Sequence, residues 1–350
     1  MFLSSGVIFF VGKEQLEAAY EKKNAACARW RAILPRRGMS ISRRIVLTCI
    51  AVLILLPSIA FSRNEKQIVF AMNLPPSFLG EGAADIISYL NILRKGVKQK
   101  TGIDLKISTY NSFDAVSQSL KKGDADVAWM SPLQFAKIKA SDNGGNIVPL
   151  VAMSVAGSTK SATCLFVRRG ADIRDLDGLV SSRVAFSDQQ GWVVLNEIFD
   201  AQKYPFSPFD LFSTHEEITR ESAAYALHLK EIDAMVIEQS YLPFIEKSIK
   251  GFKKEVTPVA CSKPMTNALI VYRKNISAVK AAKLKKVFLS MNKDTAFRPL
   301  QKFFRATDAR WVNCNTGMYA DWFNVLARAT RKGWIRDYNR LERVRGGKSE

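Results

Sequence analysis

The stretch Gly123-Asp-Ala-Asp-Val-Ala-Trp-Met-Ser-Pro-Leu-Gln-Phe135 decides the fold class of this chain. Its centre, residues 126–130, is a short apolar run after an acidic turn, which is typical of a buried strand. Ser131 and Pro132 then favour a helix, because serine caps helix N-termini and proline is tolerated at the first helical position. A strand that leads straight into a helix indicates an open α/β sheet, in which ligands lie beyond the carboxyl ends of the strands.

The residues before this stretch repeat the alternation of strand and helix. Ser112 can cap a helix that carries apolar residues at helical spacing and that Gly123 ends. Earlier segments predict a strand at 68–72, a helix at 84–97 and a strand at 105–110.

The residues after the stretch predict a second lobe and a return to the first. Thr214-x-x-Glu217 matches a capping box, which predicts a helix that runs to Leu229. The other predicted elements are strands at 147–155, 163–168, 183–186 and 233–237, a short helical connection at 173–179, a helix at 191–201, a return to the first lobe at about 256–271, helices at 280–289, 296–304 and 321–332, and a frayed tail from Gly346.

Length and charge bound the architecture. A chain of 350 residues exceeds what one hydrophobic core usually organises, so two lobes are expected. The net charge is +20, but the middle of the chain is nearly neutral and the excess lies at the two ends. We find no zinc-finger spacing, RNP-type aromatic motif or clear helix-turn-helix, so nucleic acid is not an expected partner. Two interpretations of the basic C-terminal region remain open, a solvated surface and a contact with an anionic membrane.

An export segment is predicted at residues 39–62. Arg43 and Arg44 form a positive n-region, an uncharged apolar stretch follows, and Ala60 and Ser62 stand at the positions expected of a cleavage site before Arg63. The apolar stretch is short for a membrane-spanning helix, which needs about 20 residues, so cleavage is favoured over a retained N-terminal anchor. Translation from Met39 would leave residues 1–38 as an upstream extension.

Export determines how the cysteines are interpreted. After Ser62 only Cys164, Cys261 and Cys314 remain, without the spacing of a metal site. At most one disulfide can therefore form, and the sequence leaves its pairing open. Burial of all three as small apolar side chains is the simpler alternative.

Several motifs in order resemble the substrate-binding proteins of phosphate, phosphite and phosphonate ABC transporters. The resemblance covers about residues 66–300. It is carried by the quoted stretch 123–135, by Ser112-Phe113 before it, by Asp175-Leu-Asp-Gly178, by Ser213-Thr-His-Glu-Glu217 and by Glu231-Ile-Asp-Ala234. It implies the type II periplasmic-binding-protein fold, with two lobes, each an open α/β sheet, and a ligand cleft between them. The boundaries we expect are 63–160 for the first part of lobe 1, 161–260 for lobe 2, and 261–350 for the return to lobe 1 with the basic C-terminal helices.

The resemblance also implies a set of ligand-binding residues. One departure is important: where the family holds phosphonate oxygens with a Ser-Thr-Ser-Gly helix start, this chain has Asp188-Gln189-Gln190-Gly191, and a carboxylate there would repel a dianion. The candidate residues are Ser112, Phe113, Ser131, Ser161, Asp188, Gln189, Gln190, Gly191, His215 and Asp233. No metal ligand, cofactor or catalytic residue is predicted.

The function that the resemblance implies is periplasmic solute binding for an ABC transporter. The protein would close on a small oxyanion such as phosphate, phosphite or a phosphonate, and an inner-membrane permease would read the closed form. The alternative is a membrane-anchored periplasmic sensor or adaptor that uses the same two lobes to report a solute to a signalling partner such as a kinase. An enzyme is not predicted, because the chain has no nucleophile elbow, Walker loop or dinucleotide fingerprint.

Overall fold

The computed structural model describes residues 67–74, 83–141, 144–305 and 308–345. They belong to one compact unit, Asn64–Glu350. The predicted export segment 39–62, the upstream residues 1–38 and the tail from Gly346 lie outside the described residues.

Strands and helices alternate along the described chain. The strands are β1 Gln67–Asn73, β2 Asp104–Tyr110, β3 Val127–Met130, β4 Ile147–Val155, β5 Lys160–Ser161, β6 Thr163–Arg168, β7 Arg183–Phe186, β8 Thr214–Glu217, β9 Ala234–Glu238, β10 Val256–Cys261, β11 Met265–Thr266, β12 Leu269–Arg273 and β13 Ala309–Val312. The helices are α1 Ala83–Thr101, α2 Phe113–Lys122, α3 Pro132–Lys139, α4 Gln189–Ala201, α5 Pro208–Leu211, α6 Arg220–His228, α7 Leu242–Ser248, α8 Phe252–Glu255, α9 Ala278–Ser290, α10 Arg298–Arg305, α11 Ala320–Lys332 and α12 Trp334–Arg345.

Lobe 1 is built on a six-stranded sheet in the order β13-β4-β12-β3-β1-β2. β1 runs parallel to β2 and β3, whereas β12 is antiparallel to both of its neighbours, β3 and β4. Alternate residues of β1 point to opposite faces, as the two-residue period of a strand requires. Ile68 and Phe70 pack in one buried cluster with α1 and α9, while Val69 and Ala71 pack in another with α2 and α3.

A close approach fixes one residue of α1 as glycine. A Cβ atom at Gly96 would lie 2.3 Å from Cε1 of Phe297, whose side chain is fully buried. Hence α1 can pack this tightly against the segment that precedes α10 only because position 96 carries no side chain.

Lobe 2 is built on a five-stranded sheet in the order β10-β6-β9-β7-β8. β7 runs parallel to β8 and β9, and β6 runs antiparallel to β9 and β10. Because β7 and β9 are parallel, their carboxyl ends lie at the same edge of the sheet, and α4 begins just beyond the end of β7.

Two short antiparallel strands, β5 and β11, join the lobes. Directly on the lobe 2 side, a disulfide links Cys164 of β6 to Cys261 of β10, and Cys314 is a free, partly buried thiol. The pairing that the sequence left open is therefore Cys164 with Cys261, and burial of all three cysteines as free thiols was not correct.

The two C-terminal helices contact both lobes. α11 packs against α3 of lobe 1 and against α4 of lobe 2, and α12 packs against α4. Trp322 Nε1 donates to the carbonyl oxygen of Thr266 in β11 at 2.8 Å, and Trp192 Nε1 of α4 donates to the carbonyl oxygen of Trp334 at 2.9 Å. Ion pairs of Arg328 with Glu197 and of Lys332 with Asp200 add further links to α4.

The structure confirms most predicted elements but contradicts the capping box at Thr214. Residues 214–217 form β8, which pairs with β7 in parallel register, and the helix begins only at Arg220. Thr219 is the actual N-cap, and its Oγ1 accepts from the backbone N–H of Ser222 at 3.1 Å. Pairing with a neighbouring strand overrides the local capping pattern, because the backbone N–H groups of 214–217 have a partner strand.

Candidate functional site

The carboxyl end of β3 in lobe 1 and those of β7 and β9 in lobe 2 lie where the two lobes meet, and we call this region the interlobe cleft. On the lobe 1 side, α3 begins at the end of β3, and on the lobe 2 side α4 and α6 begin next to the ends of β7 and β9. Hydrogen bonds between described residues cross the cleft: Leu133 N donates to Gln190 Oε1 at 3.3 Å, and Lys137 Nζ donates to Gln189 Oε1 at 2.8 Å. The two lobes are therefore in contact through the first residues of α4.

The lobe 1 wall is formed by the N-termini of α2 and α3. Ser112 and Ser131 are their N-caps, and each side chain accepts from a backbone N–H three residues later. Ser131 is buried, as is Gln134, whereas Lys137 reaches the cleft and also pairs with Asp114 of α2 at 3.1 Å. Lys137 thus contributes a positive charge that is already shared between a carboxylate and an amide oxygen.

Asp188 caps α4 on the lobe 2 wall. Its Oδ1 accepts from Gly191 N at 2.9 Å, and the carboxylate also accepts from the backbone N–H of Gln190. Burial raises the pKa of Asp188 above its ordinary value, and this effect outweighs Arg220 and the two backbone donors, which lower it. Ionisation of the Asp188 side chain therefore costs free energy in the folded protein.

Arg220 and Glu238 form a bidentate pair beside Asp188. Arg220 Nε and Nη2 donate to the two carboxylate oxygens of Glu238, both at 2.9 Å, and the guanidinium stacks 5.2 Å above the ring of Tyr241. Burial alone would raise the pKa of Glu238, but the charge of Arg220 and its hydrogen bonds lower it overall. Burial alone would likewise lower the pKa of Arg220, and the charge of Glu238 raises it overall. Both side chains are therefore ionised at neutral pH, and each neutralises the charge of the other.

Seven of the ten residues predicted from the sequence lie at the cleft. Ser112, Phe113 and Ser131 stand at the helix N-termini of lobe 1, and Asp188, Gln189, Gln190 and Gly191 form the N-terminus of α4. Ser161 lies in the connecting strand β5, where its Oγ accepts from the backbone N–H of Ser240, two residues beyond the end of β9.

The remaining two predicted residues lie elsewhere. His215 sits within β8, where its ring packs against Trp192 and Phe209 and its Nε2 lies 2.9 Å from the carbonyl oxygen of Pro208. Asp233 precedes β9, at the opposite end of that strand from Glu238. There it accepts from the backbone and side chain of Arg183.

Sequence reasoning missed three residues of the cleft in addition to Leu133. Lys137 occupies an ordinary helical position, and only the packing of α3 against α4 reveals its contact with Gln189. Arg220 pairs with Glu238 and stacks on Tyr241, and the place of Glu238 at the end of β9 depends on the sheet. One local signal was available, because Thr219 caps the helix that Arg220 begins.

Three further features of the described residues bear on the candidate site. Within the described ranges no helix is long and apolar enough to span a membrane. Across the same residues no group of three or more His, Cys, Asp or Glu side chains is arranged to hold a metal ion. Two cavities lie away from the cleft, one of about 870 Å³ against α11 and α12 and one of about 460 Å³ beside the loop 170–174.

Solved structures with the same fold include several solute-binding proteins. PhnD1 from Prochlorococcus marinus (MIT 9301), solved in complex with methylphosphonate, is 11% identical with a TM-score of 0.62 over 76% of this chain and 99% of that one. XAC2383 from Xanthomonas citri, solved with a chloride ion, is 16% identical with a TM-score of 0.59 over 78% and 99%. The binding protein component of an ABC phosphonate transporter (PA3383) from Pseudomonas aeruginosa is 15% identical with a TM-score of 0.57 over 78% and 98%. At these identities the likeness shows the fold alone, and it confirms the predicted two-lobed type II periplasmic-binding-protein fold.

The family follows from the sequence match. No curated protein matches the chain at the level of sequence. The model of the family described as "ABC transporter, phosphonate, periplasmic substrate-binding protein" matches residues 81–312, about two thirds of the chain. Proteins of this family are not enzymes; they bind small phosphonate-type ligands in the periplasm for an ABC transporter. The chain therefore belongs to the family of periplasmic substrate-binding proteins of phosphonate ABC transporters, as the resemblance in its sequence indicated.

Proposed function

We propose that this protein binds a small oxyanion in the interlobe cleft and presents it to an inner-membrane ABC permease. The observation that carries the proposal is the hydrogen bond from Leu133 N, at the start of α3, to an oxygen that comes from the other lobe. A backbone N–H at a helix start favours an oxygen acceptor, because the helix dipole adds a positive potential there. Lys137 adds a cation one helical turn further on.

Closure of the lobes is the mechanism that this arrangement supports. A solute in the cleft would contact α3 of lobe 1 and α4 of lobe 2 at the same time, and only in the closed form. It therefore shifts the equilibrium between open and closed forms by its differential affinity for the closed one. Charge-assisted hydrogen bonds contribute about 1.5–3 kcal/mol each, so a few are enough for micromolar binding, about −8 kcal/mol.

A thermal-shift screen of the purified protein tests this function. The probes are phosphate, phosphite, methylphosphonate, sulfate, carboxylates and amino acids. A ligand at 100 times its dissociation constant adds about 2.7 kcal/mol to the free energy of unfolding. We expect a shift with at least one phosphorus oxyanion, and about a tenfold weaker affinity in Lys137→Gln, because the cation then no longer reaches the cleft.

Lys98→Gln is the matched control for Lys137→Gln. Lys98 also lies on a lobe 1 helix and also pairs with an aspartate, Asp104, but on the outside of α1. It should leave every affinity unchanged. A screen in which no oxyanion shifts the melting temperature contradicts the proposal, and equal losses in the two variants would show that the effect is only one of net charge.

Export and membrane contact complete the proposal. We expect cleavage before Arg63, which sequencing of the mature N-terminus tests directly; a retained segment 39–62 would instead favour the anchored form. The exposed basic residues of α11 and α12, among them Arg331, Arg336 and Arg340, support contact with an anionic membrane surface. Co-sedimentation with vesicles that contain anionic lipid, compared with purely zwitterionic vesicles, tests that contact.

A further inference from the structure

The Gln190 side chain joins the two walls of the cleft. Its Oε1 accepts from Leu133 N of lobe 1 at 3.3 Å, and its amide group also hydrogen-bonds to the Glu238 carboxylate of lobe 2. Because a carboxylate only accepts, the Gln190 Nε2 is the donor in the second bond. Glu238 in turn is held by Arg220, so a continuous polar chain runs from α3 to α6.

At the starts of α3 and α4, several backbone donors that face the cleft already have acceptors within the protein. At the start of α3, Pro132 has no N–H, Leu133 N donates to Gln190 and Gln134 N donates to Ser131. At the start of α4, Asp188 accepts from the N–H groups of both Gln190 and Gly191. In this form of the protein an oxyanion that bound one of these donors would have to replace its acceptor.

Of these acceptors, Gln190 is the one that a solute can displace. Asp188 and Ser131 are N-caps of their own helices, and their removal would leave helix donors unpaired within one lobe. Gln190 is instead a flexible side chain whose oxygen arrives from the opposite lobe. Its loss costs one hydrogen bond between lobes and leaves both helix caps in place.

We infer that Gln190 is a specificity-determining residue whose carboxamide oxygen occupies, between the lobes, the position that an oxygen of the solute takes on binding. The inference rests on the proposed function, because it assumes that the cleft receives an oxyanion. Its consequence is competition. Every solute that accepts from Leu133 N–H must first break the hydrogen bond between Leu133 and Gln190. Oxyanions whose other oxygens make few further hydrogen bonds should therefore bind more weakly.

The inference predicts a gain of affinity on truncation. In Gln190→Ala the donor of Leu133 has no intramolecular acceptor, and a solute oxygen can take it without competition. We expect methylphosphonate and phosphate to bind about tenfold more tightly to Gln190→Ala than to the unmodified protein, as measured by isothermal titration calorimetry. Gln99→Ala is the matched control, because Gln99 is an exposed glutamine of α1 in lobe 1. It should change nothing.

Small-angle X-ray scattering gives a second readout that needs no solute. The unmodified protein should contract only slightly on binding solute, because the hydrogen bond of Gln190 to Leu133 already favours the closed form. Gln190→Ala should be larger without solute and should contract on binding. Gln190→Ser, which also shortens the side chain, is the second variant if the alanine variant does not fold.

The outcomes separate this inference from the proposed function. Equal or weaker binding of both probes by Gln190→Ala overturns the inference, as does an unmodified protein that is as expanded without solute as the variant. If neither protein binds any oxyanion, the proposed function fails, and the scattering comparison still decides whether Gln190 holds the lobes together.

Discussion

Removal of the Cys164–Cys261 disulfide should cost this protein a large part of its stability. The bond joins β6 and β10 where the chain enters and leaves lobe 2, so the loop that it closes contains almost the whole of that lobe. We consider the double variant Cys164→Ser/Cys261→Ser, which breaks the bond and leaves two small side chains of similar volume.

The magnitude follows from the length of the loop. The two cysteines are 97 residues apart. In the chain-entropy model a loop of this size removes enough freedom from the unfolded chain to stabilise the folded state by about 4.7 kcal/mol. Measured losses for native disulfides are about 2–5 kcal/mol, and residual structure in the unfolded lobe reduces the effect. We therefore expect a loss of about 3–4.5 kcal/mol.

Urea unfolding followed by circular dichroism measures this loss. Cys314→Ser is the control, because burial raises the pKa of the Cys314 thiol to about 11, so that it stays protonated at neutral pH and does not attack the disulfide. The control should unfold at nearly the same urea concentration as the unmodified protein. A double variant that loses less than about 1 kcal/mol with an unchanged slope would refute the loop-entropy argument.

Three further predictions concern the cleft and lobe 1. Glu238→Gln should lose about 2–3 kcal/mol, because Arg220 loses a partner at two hydrogen bonds in a pair whose side chains are only about a quarter exposed. Arg220 lowers the pKa of Glu238 in the folded protein. The stabilisation is therefore present above the pKa of Glu238 in the unfolded chain and is lost as the pH falls through its pKa in the folded protein. A plot of the free energy of unfolding against pH should lack this acid-side decrease in the variant. Asp188→Asn keeps an N-cap for Gly191 but removes a carboxylate whose pKa is raised by burial. As the pH rises, the free energy of unfolding of the variant should therefore exceed that of the unmodified protein by on the order of 1 kcal/mol, and in acid the difference should vanish. A difference that persists unchanged at low pH would count against this explanation. Gly96→Ala should lower the free energy of unfolding by about 1–3 kcal/mol in a thermal melt, because its Cβ would clash with the buried Phe297. The loss should occur even though alanine is favoured over glycine by about 1 kcal/mol within a helix. A stabilised variant would show that α1 can shift.

Local signals predicted the first part of lobe 1 well. Ser112 and Ser131 cap the helices expected of them, and Gly123 ends α2 with φ near 89°, a left-handed conformation that glycine adopts without strain. In each case the interaction that begins or ends the helix is made within four residues of the residue that predicts it. The same local logic produced the error at Thr214, since the pairing of β8 with β7 depends on residues about 30 positions earlier.

The candidate site was only partly predictable for the same reason. The family resemblance placed Asp188 to Gly191 among the candidate residues, and the structure places them at the N-terminus of α4 where the lobes meet. The partners of the two glutamines there could not be predicted, because Leu133 and Lys137 lie more than 50 residues away and on the other lobe. Likewise α12 was not predicted, because its buried residues, Trp334 and Tyr338, stand at the four-residue spacing of a helix face but in a largely charged segment.

The position of β12 in the lobe 1 sheet has a consequence for how the chain folds during synthesis and export. β12 lies between β3 and β4, yet it comes more than 100 residues after both of them in the chain. Until residues 269–273 emerge, the edges of β3 and β4 remain unpaired, and exposed strand edges are prone to aggregate. Lobe 1 therefore cannot complete its sheet from the N-terminal residues alone. The nascent chain should stay dependent on chaperones until lobe 2 has been made, and fragments that end before residue 269 should be degraded rapidly.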